Sequence, residues 1–197
     1  IVFGDWSSDV CSSDLFNRTD FDIYIQTLQD EKALYQDILS REVDTVYFGG
    51  GTPSLLSAQD INKLLHGIRL SNNAEISIEV NPLQVTKEFV DMLCQTPINR
   101  ISLGIQSMSD VELRWLTRKH KAAMIEPAIK LLRERGFKNI SGDIIYGLPN
   151  STVQSVKNNI AEFQKLQLNH ISCYLLELCE NSPLYRFHSD KIGRAHV

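Results

Sequence analysis

Small and polar residues follow several apolar segments of the sequence, and their types are those that bind ligands. Three consecutive glycines, residues 49–51, and then Thr52 directly follow the β-branched and aromatic segment 43–48. Glycines let backbone N–H groups approach a ligand because no side chain blocks them. A tight turn is the alternative interpretation. A run of three glycines after a buried segment favours ligand contact through Gly50 and Gly51.

Two carboxylates and an amide lie at the ends of apolar segments, where a polar side chain is costly to bury without a partner. Glu79, Gln106 and Asp143 each occupy such a position. Any one of them alone could be an exposed residue at a sheet edge. Because the pattern recurs on successive segments together with the glycines, we expect one shared polar cavity. Such a cavity would hold a polar, zwitterionic small molecule by hydrogen bonds, without acid–base chemistry of its own.

The elements that must position these residues follow a regular rhythm. Apolar segments of strand type recur at intervals of about 30 residues, which is the length of a βαβ unit. Segments with helical spacing of apolar residues lie between them. The predicted strands are residues 43–48, 75–80, 100–105, 139–145 and 170–176, and the predicted helices are residues 19–41, 58–68, 86–94, 109–116, 122–135 and 152–166.

This alternation predicts an α/β fold with a parallel sheet covered by helices. A nucleotide-type GxGxxG motif is absent from the sequence, which favours an incomplete parallel (β/α) barrel over a doubly wound sheet. In a parallel barrel the carboxyl ends of the strands build the active site. The glycines, Glu79, Gln106 and Asp143 all fall at those ends.

Composition excludes several classes of protein. Apolar residues make up 43% of the 197 residues, and the net charge of −4 gives no basic surplus for nucleic acid. No apolar run approaches the roughly 20 residues of a membrane span, and no secretory signal is recognisable, so a cytoplasmic protein is expected.

Cysteine and histidine spacing predicts no metal site. No two cysteines are spaced as CxxC, and the histidines are scattered over different elements. We expect Cys94 and Cys173 to be buried, Cys179 is undecided, and Cys11 is excluded with the leader described next. We expect surface positions for His66, His120, His170 and His188.

The two ends do not fit the rhythm. Residues 1–15 and 192–197 have neither helical nor strand periodicity, and we interpret them as non-native, adapter-like sequence. Residues 16–191 would then form one partial barrel domain.

Four motifs in order carry a family resemblance. They are YFGGGTPS at residues 47–54, IEVNP at 78–82, RISLGIQS at 100–107 and DIIYGLP at 143–149. The chain, over about residues 16–187, resembles the radical S-adenosylmethionine family that contains oxygen-independent coproporphyrinogen III oxidase and the haem chaperone HemW. The resemblance implies a partial (β/α) barrel that uses S-adenosylmethionine and a [4Fe–4S] cluster bound by a CxxxCxxC motif.

The resemblance also implies roles for individual residues. Gly50, Gly51 and Thr52 would hold the methionine part of S-adenosylmethionine. Its amino group, carboxylate and ribose would contact four side chains, and Leu175 would line the adenine. The four side chains are those of Glu79, Gln106, Arg118 and Asp143.

Departures from the family pattern limit what this chain could do alone. The CxxxCxxC motif is absent, and residues 16–18 match the stretch just past its last cysteine. The family's first strand and C-terminal region are also missing, so we expect this chain by itself to bind no cluster and to be inactive.

Three sequence features favour the haem chaperone branch: Asn81, Gln106–Ser107 and residues 181–185. The expected ligand is haem or a porphyrin, with a haem-acceptor protein as a possible partner and neither nucleic acid nor a membrane span involved. The alternatives are the coproporphyrinogen III dehydrogenase of the same family and a non-catalytic barrel that binds a small ligand.

Overall fold

A computed structural model describes residues 18–149 and 151–177 of the chain. The adapter-like segments 1–15 and 192–197 lie outside the described residues, as do Cys11, Cys179, His188 and residues 181–185.

The described chain folds into a single five-stranded sheet with strand order β1-β2-β3-β4-β5. All four neighbouring pairs are parallel. The strands are β1 (Val43–Phe48), β2 (Leu70–Val80), β3 (Arg100–Gln106), β4 (Asn139–Tyr146) and β5 (His170–Leu175); the helices are α1 (Arg18–Leu34), α2 (Gln36–Leu39), α3 (Ala58–Leu65), α4 (Lys87–Leu93), α5 (Asp110–Trp115), α6 (Ile125–Glu134) and α7 (Val153–Lys165). This curled parallel sheet with its helices confirms the expected incomplete barrel.

The two faces of the sheet differ in character because side chains alternate along each strand. The outward face carries the apolar residues, which pack with the helices into one core around fully buried side chains such as Ile78, Leu103, Ile140 and Phe163. The inward face is polar, with Tyr47, Glu79, Ser102 and Asp143 among its residues. This distribution is unusual for a closed barrel, whose interior is filled by branched apolar side chains.

Most elements lie where the sequence predicts them, and the differences are at boundaries. The single helix expected over residues 19–41 is interrupted at Tyr35, whose φ of −106° and ψ of 21° leave the helical region. β2 begins at Leu70, which pairs with Val43, and the polar residues 71–73 lie in an irregularity before the next pair, Thr45 with Glu75. The predicted helix 122–135 begins as a 3₁₀ turn, Ala122–Met124, before α6.

Serines occupy the N-caps of α3 and α5, but they cap differently. Ser57 caps α3 in a reciprocal capping box with Asp60. Ser109 occupies the N-cap of α5, but its side chain makes no capping bond. The N–H of Ser109 donates a hydrogen bond to the hydroxyl of Ser107.

For three residues, the sequence prediction of burial or exposure is wrong. Cys94 and Cys173 are exposed. Cys173 lies on the outward face of β5, which is an edge strand of the described sheet, and Cys94 follows the C-terminus of α4. His120, expected at the surface, is 2% exposed because it lies under the end of β3. No helix within the described parts of the chain is long and apolar enough to cross a membrane.

Candidate functional site

Glu79 is the centre of a hydrogen-bonded cluster at the carboxyl ends of β1 and β2. The hydroxyl of Tyr47 donates to its Oε1 atom at 2.9 Å, and the Gly50 N–H donates to its Oε2 atom at 3.2 Å. Gly50 and Gly51 have φ values of 78° and 56°, which side chains rarely tolerate. The glycine loop therefore turns back over β2 and directs a backbone donor at the carboxylate.

The side chains of Tyr47 and Glu79 leave no room for a side chain at Gly49. A Cβ atom at this position would stand 2.6 Å from the ring of Tyr47 and 2.9 Å from Oε1 of Glu79. Gly49→Ala should therefore displace both side chains and weaken ligand binding several-fold, with the core left intact because the clash lies on the polar face. A binding titration and a thermal melt check this. Equal binding by Gly49→Ala and wild type would contradict the prediction.

Asp143 lies on the same inward face, three strands from the glycine loop. Its side chain is 3% exposed, and the Ser102 hydroxyl lies 3.3 Å from each of its oxygens. Ser102 is also the register partner of Glu79, so the two carboxylates occupy neighbouring positions across β3. The sequence prediction that Glu79 and Asp143 share one face is thus met by the geometry.

A series of hydrogen bonds on the inward face connects Asp143 to Arg100 at the start of β3. The guanidinium of Arg100 donates to the hydroxyls of Ser77 and Ser141 at 3.1 and 3.2 Å. Ser141 in turn donates to Ser102 at 3.1 Å. A positive charge is therefore linked through hydroxyl groups to the buried carboxylate.

Burial dominates the electrostatics of the cluster. Removal from water raises the pKa of Glu79 above its ordinary value, against the hydrogen bonds from Tyr47 and Gly50, which lower it. Burial likewise raises the pKa of Asp143, against Ser172, Ser102 and Arg100. Such carboxylates gain from a cationic or hydroxyl-bearing ligand, because it replaces the water they have lost.

Gln106 ends β3 in a left-handed conformation with φ of 66°. Its side chain is 4% exposed and returns along the inward face, with Nε2 only 3.0 Å from where a Cβ at Gly104 would stand. Arg118 follows α5, and its N–H bonds to the carbonyl of Leu113. Arg118 precedes His120 by two residues, and the His120 ring bonds to the carbonyl of Ile105 in β3, so Arg118 lies near the end of that strand.

The structure brings together most, but not all, of the residues singled out from the sequence. The glycine loop, Glu79, Gln106 and Asp143 lie at one end of the sheet on one face, with Arg118 in the loop beyond β3. Leu175 is 51% exposed and lies beside Gly147, on the face of β5 opposite Ser172. The binding roles of all these residues remain predictions.

Sequence reasoning missed three contributors to the site: Tyr47, Ser102 and His120. Tyr47 and Ser102 could have been found from the strand register. Ser102 on β3 is aligned with Glu79, and Tyr47 on β1 is aligned with Ser77, which lies on the same face of β2 as Glu79. His120 has no such signal, since its partner is a backbone carbonyl 15 residues earlier.

The described residues fit S-adenosylmethionine better than they fit a metal cluster. The donor set of backbone N–H groups, carboxylates, an amide and a guanidinium matches a zwitterion with ribose hydroxyls. Within residues 18–149 and 151–177, no group of three or more His, Cys, Asp or Glu side chains could hold a metal ion.

Comparison with known proteins agrees with this geometry. The model of the radical SAM superfamily matches residues 11–163. The chain belongs to the radical SAM superfamily, whose members use S-adenosylmethionine and a [4Fe–4S] cluster.

The similar proteins within this superfamily include haem chaperones and coproporphyrinogen III oxidases. The haem chaperone HemW of Lactococcus lactis is 35% identical over 161 residues, covering 80% of this chain and 42% of the relative. An oxygen-independent coproporphyrinogen III oxidase of Bradyrhizobium diazoefficiens is 31% identical over 157 residues, covering 76% and 35%. The chain therefore spans less than half the length of these relatives.

A solved structure shows the same arrangement of strands and helices. Coproporphyrinogen III oxidase (HemN) from Escherichia coli, described as a radical SAM enzyme, matches with a TM-score of 0.71 and 27% identity. The match covers 81% of this chain and 38% of the enzyme.

Proposed function

We propose that this chain is the S-adenosylmethionine-binding part of a cytoplasmic haem chaperone of the HemW type. The observation that carries the proposal is the similarity to HemW proteins, which are 31–35% identical over 79–95% of this chain, against 30–31% over 76–77% for the oxidases. Haem or a porphyrin is then the ligand of the whole protein, which hands haem to an acceptor protein. Residues 1–15 and 192–197 take no part in this function.

The inward face supplies the groups for S-adenosylmethionine. The carboxylates of Glu79 and Asp143 accept hydrogen bonds from its ammonium group and ribose hydroxyls. Arg118 and Gln106 donate to its carboxylate. Gly50, whose N–H is bound to Glu79, lets the ligand approach the loop, and the Gly51 N–H and the hydroxyl of Thr52 complete the methionine site. Leu175 lies on the opposite face of β5, beside Gly147, so the adenine contact proposed for it would be made beyond the end of that strand.

The cluster would come from a CxxxCxxC segment outside this sequence. A bound, reduced cluster would supply one electron for the reductive cleavage of S-adenosylmethionine into methionine and a 5′-deoxyadenosyl radical. The residues of this chain would bind and orient the cofactor.

The second candidate is the oxygen-independent coproporphyrinogen III dehydrogenase, favoured by the structural match to the oxidase from Escherichia coli. Asn81, one of the residues that favoured the chaperone branch, has a local structural role that does not distinguish the two branches. Asn81 accepts a hydrogen bond from the Leu83 N–H and caps a 3₁₀ turn, and aspartate would do this equally well.

An anaerobic assay of the full-length protein with reconstituted cluster separates the candidates. We expect stoichiometric haem binding and no decarboxylation of coproporphyrinogen III in the presence of S-adenosylmethionine and a reductant. Formation of protoporphyrinogen IX would assign the dehydrogenase instead. Failure to bind either a cluster or S-adenosylmethionine would leave a non-catalytic ligand-binding barrel.

A further inference from the structure

Gln106 has a backbone conformation that needs support from its surroundings. A left-handed conformation costs a residue with a side chain roughly 1–2 kcal/mol. It persists where neighbouring structure determines it, and such positions concentrate at functional sites. At Gln106, the Ser107 N–H bonds to the Ile105 carbonyl across the turn, and further contacts come from three separate elements.

The first contact is made by His120. Its Nε2 atom lies 3.0 Å from the carbonyl oxygen of Ile105, the residue before Gln106. A carbonyl only accepts, so Nε2 carries the hydrogen. The Nδ1 atom is buried without a hydrogen-bond partner among the described residues. Burial lowers the pKa of His120, which is consistent with a neutral ring.

The other two contacts hold the residues after Gln106. The Met108 N–H donates to Oδ1 of Asn159, on α7, at 2.9 Å. The hydroxyl of Ser107 bonds to Glu112 on α5, and Nδ2 of Asn159 reaches the same carboxylate at 3.4 Å. Ser107 and Asn159 are both buried, at 0% and 7% exposed.

A buried nitrogen without a partner is a cost that a purely structural side chain could avoid. An apolar residue would fill the space of His120 without it. What His120 adds is a fixed link between two places: the carbonyl before Gln106 and the loop that carries Arg118, two residues upstream of His120. We propose that His120 and Asn159 are positioning residues that hold Gln106 in its left-handed conformation and set it beside Arg118. This inference rests on the proposed S-adenosylmethionine site.

The test measures the S-adenosylmethionine dissociation constant of the full-length, cluster-reconstituted protein and its melting temperature without ligand. His120→Phe removes the donor and keeps a ring. His120→Gln keeps an N–H donor with similar reach. We expect His120→Phe to weaken binding about tenfold, and His120→Gln to stay within about threefold of wild type.

A double-mutant cycle separates positioning from general stability. Gln106→Ala deletes the side chain that His120 is proposed to place, so His120→Phe should weaken binding less than twofold further in that background. Asn159→Ala, with and without Gln106→Ala, repeats the cycle from α7 and serves if His120→Phe does not fold.

Three outcomes would overturn the inference. They are an equal loss of affinity from His120→Phe with and without the Gln106 side chain, a lowered melting temperature with unchanged affinity, and no rescue by His120→Gln. Absence of S-adenosylmethionine binding in the wild-type protein would overturn the proposed function, and this inference with it. Normal wild-type binding with an unaffected His120→Phe variant would overturn the inference alone.

Discussion

Glu79→Ala should weaken S-adenosylmethionine binding by about one to two orders of magnitude while the sheet remains folded. Loss of one charge-assisted contact in a buried site costs about 1.5–3 kcal/mol, and each 1.4 kcal/mol is tenfold in affinity. The fold should survive because Glu79 lies on the polar inward face and contributes nothing to the apolar core. The substitution also removes the acceptor of the Gly50 N–H, so the glycine loop loses its anchor.

Anaerobic titration of the full-length protein with S-adenosylmethionine checks this result. Glu79→Gln keeps an acceptor for Tyr47 but loses the charge, and its affinity should fall between those of alanine and wild type. Glu126→Ala, on the exposed surface of α6, is the control for removal of a glutamate elsewhere. Unchanged affinity in Glu79→Ala would place the ligand away from the glycine loop.

The fold could be read from the sequence because its signals are local. Each strand core is an apolar run between turn residues, and each long helix has a periodic apolar face. The start of β2 could not be predicted, because residues 71–73 are polar and lie in the irregularity between the Val43–Leu70 and Thr45–Glu75 pairs. Tertiary pairing decided that boundary, against local propensity.

The site was predictable for a geometric reason. Parallel strands bring their carboxyl ends to one edge, so Glu79 and Asp143 come together although 64 residues separate them in the numbering. The supporting side chains were not predictable in this way. Asn159 contacts Met108 from 51 residues away, and which buried polar group meets which backbone atom depends on how the helices pack.

Asp143→Asn should have two opposite effects: weaker S-adenosylmethionine binding and a more stable free chain at neutral pH. We expect binding to fall tenfold or more, because the charge that meets the ammonium group or ribose is lost while the shape is kept. The stability effect follows from burial, which raises the pKa of Asp143 in the folded chain.

The sign of the pH dependence is set by that raised pKa. The folded chain holds the Asp143 proton more tightly than the unfolded chain, so this residue contributes stability in acid, below its unfolded pKa of about 3.9. That contribution is lost as the pH rises through the folded pKa. Asparagine does not titrate, so the free energy of unfolding of Asp143→Asn should rise relative to that of the wild type between about pH 4 and neutrality.

Urea unfolding of the free chain at several pH values measures the difference. Asp37→Asn, at an exposed position on α2, controls for removal of an aspartate. A gap between Asp143→Asn and wild type that stays constant with pH would show that Ser102, Ser172 and Arg100 fully compensate for the burial. A gap that grows with pH, together with weakened binding, would identify Asp143 as a carboxylate that opposes folding and is retained for its ligand.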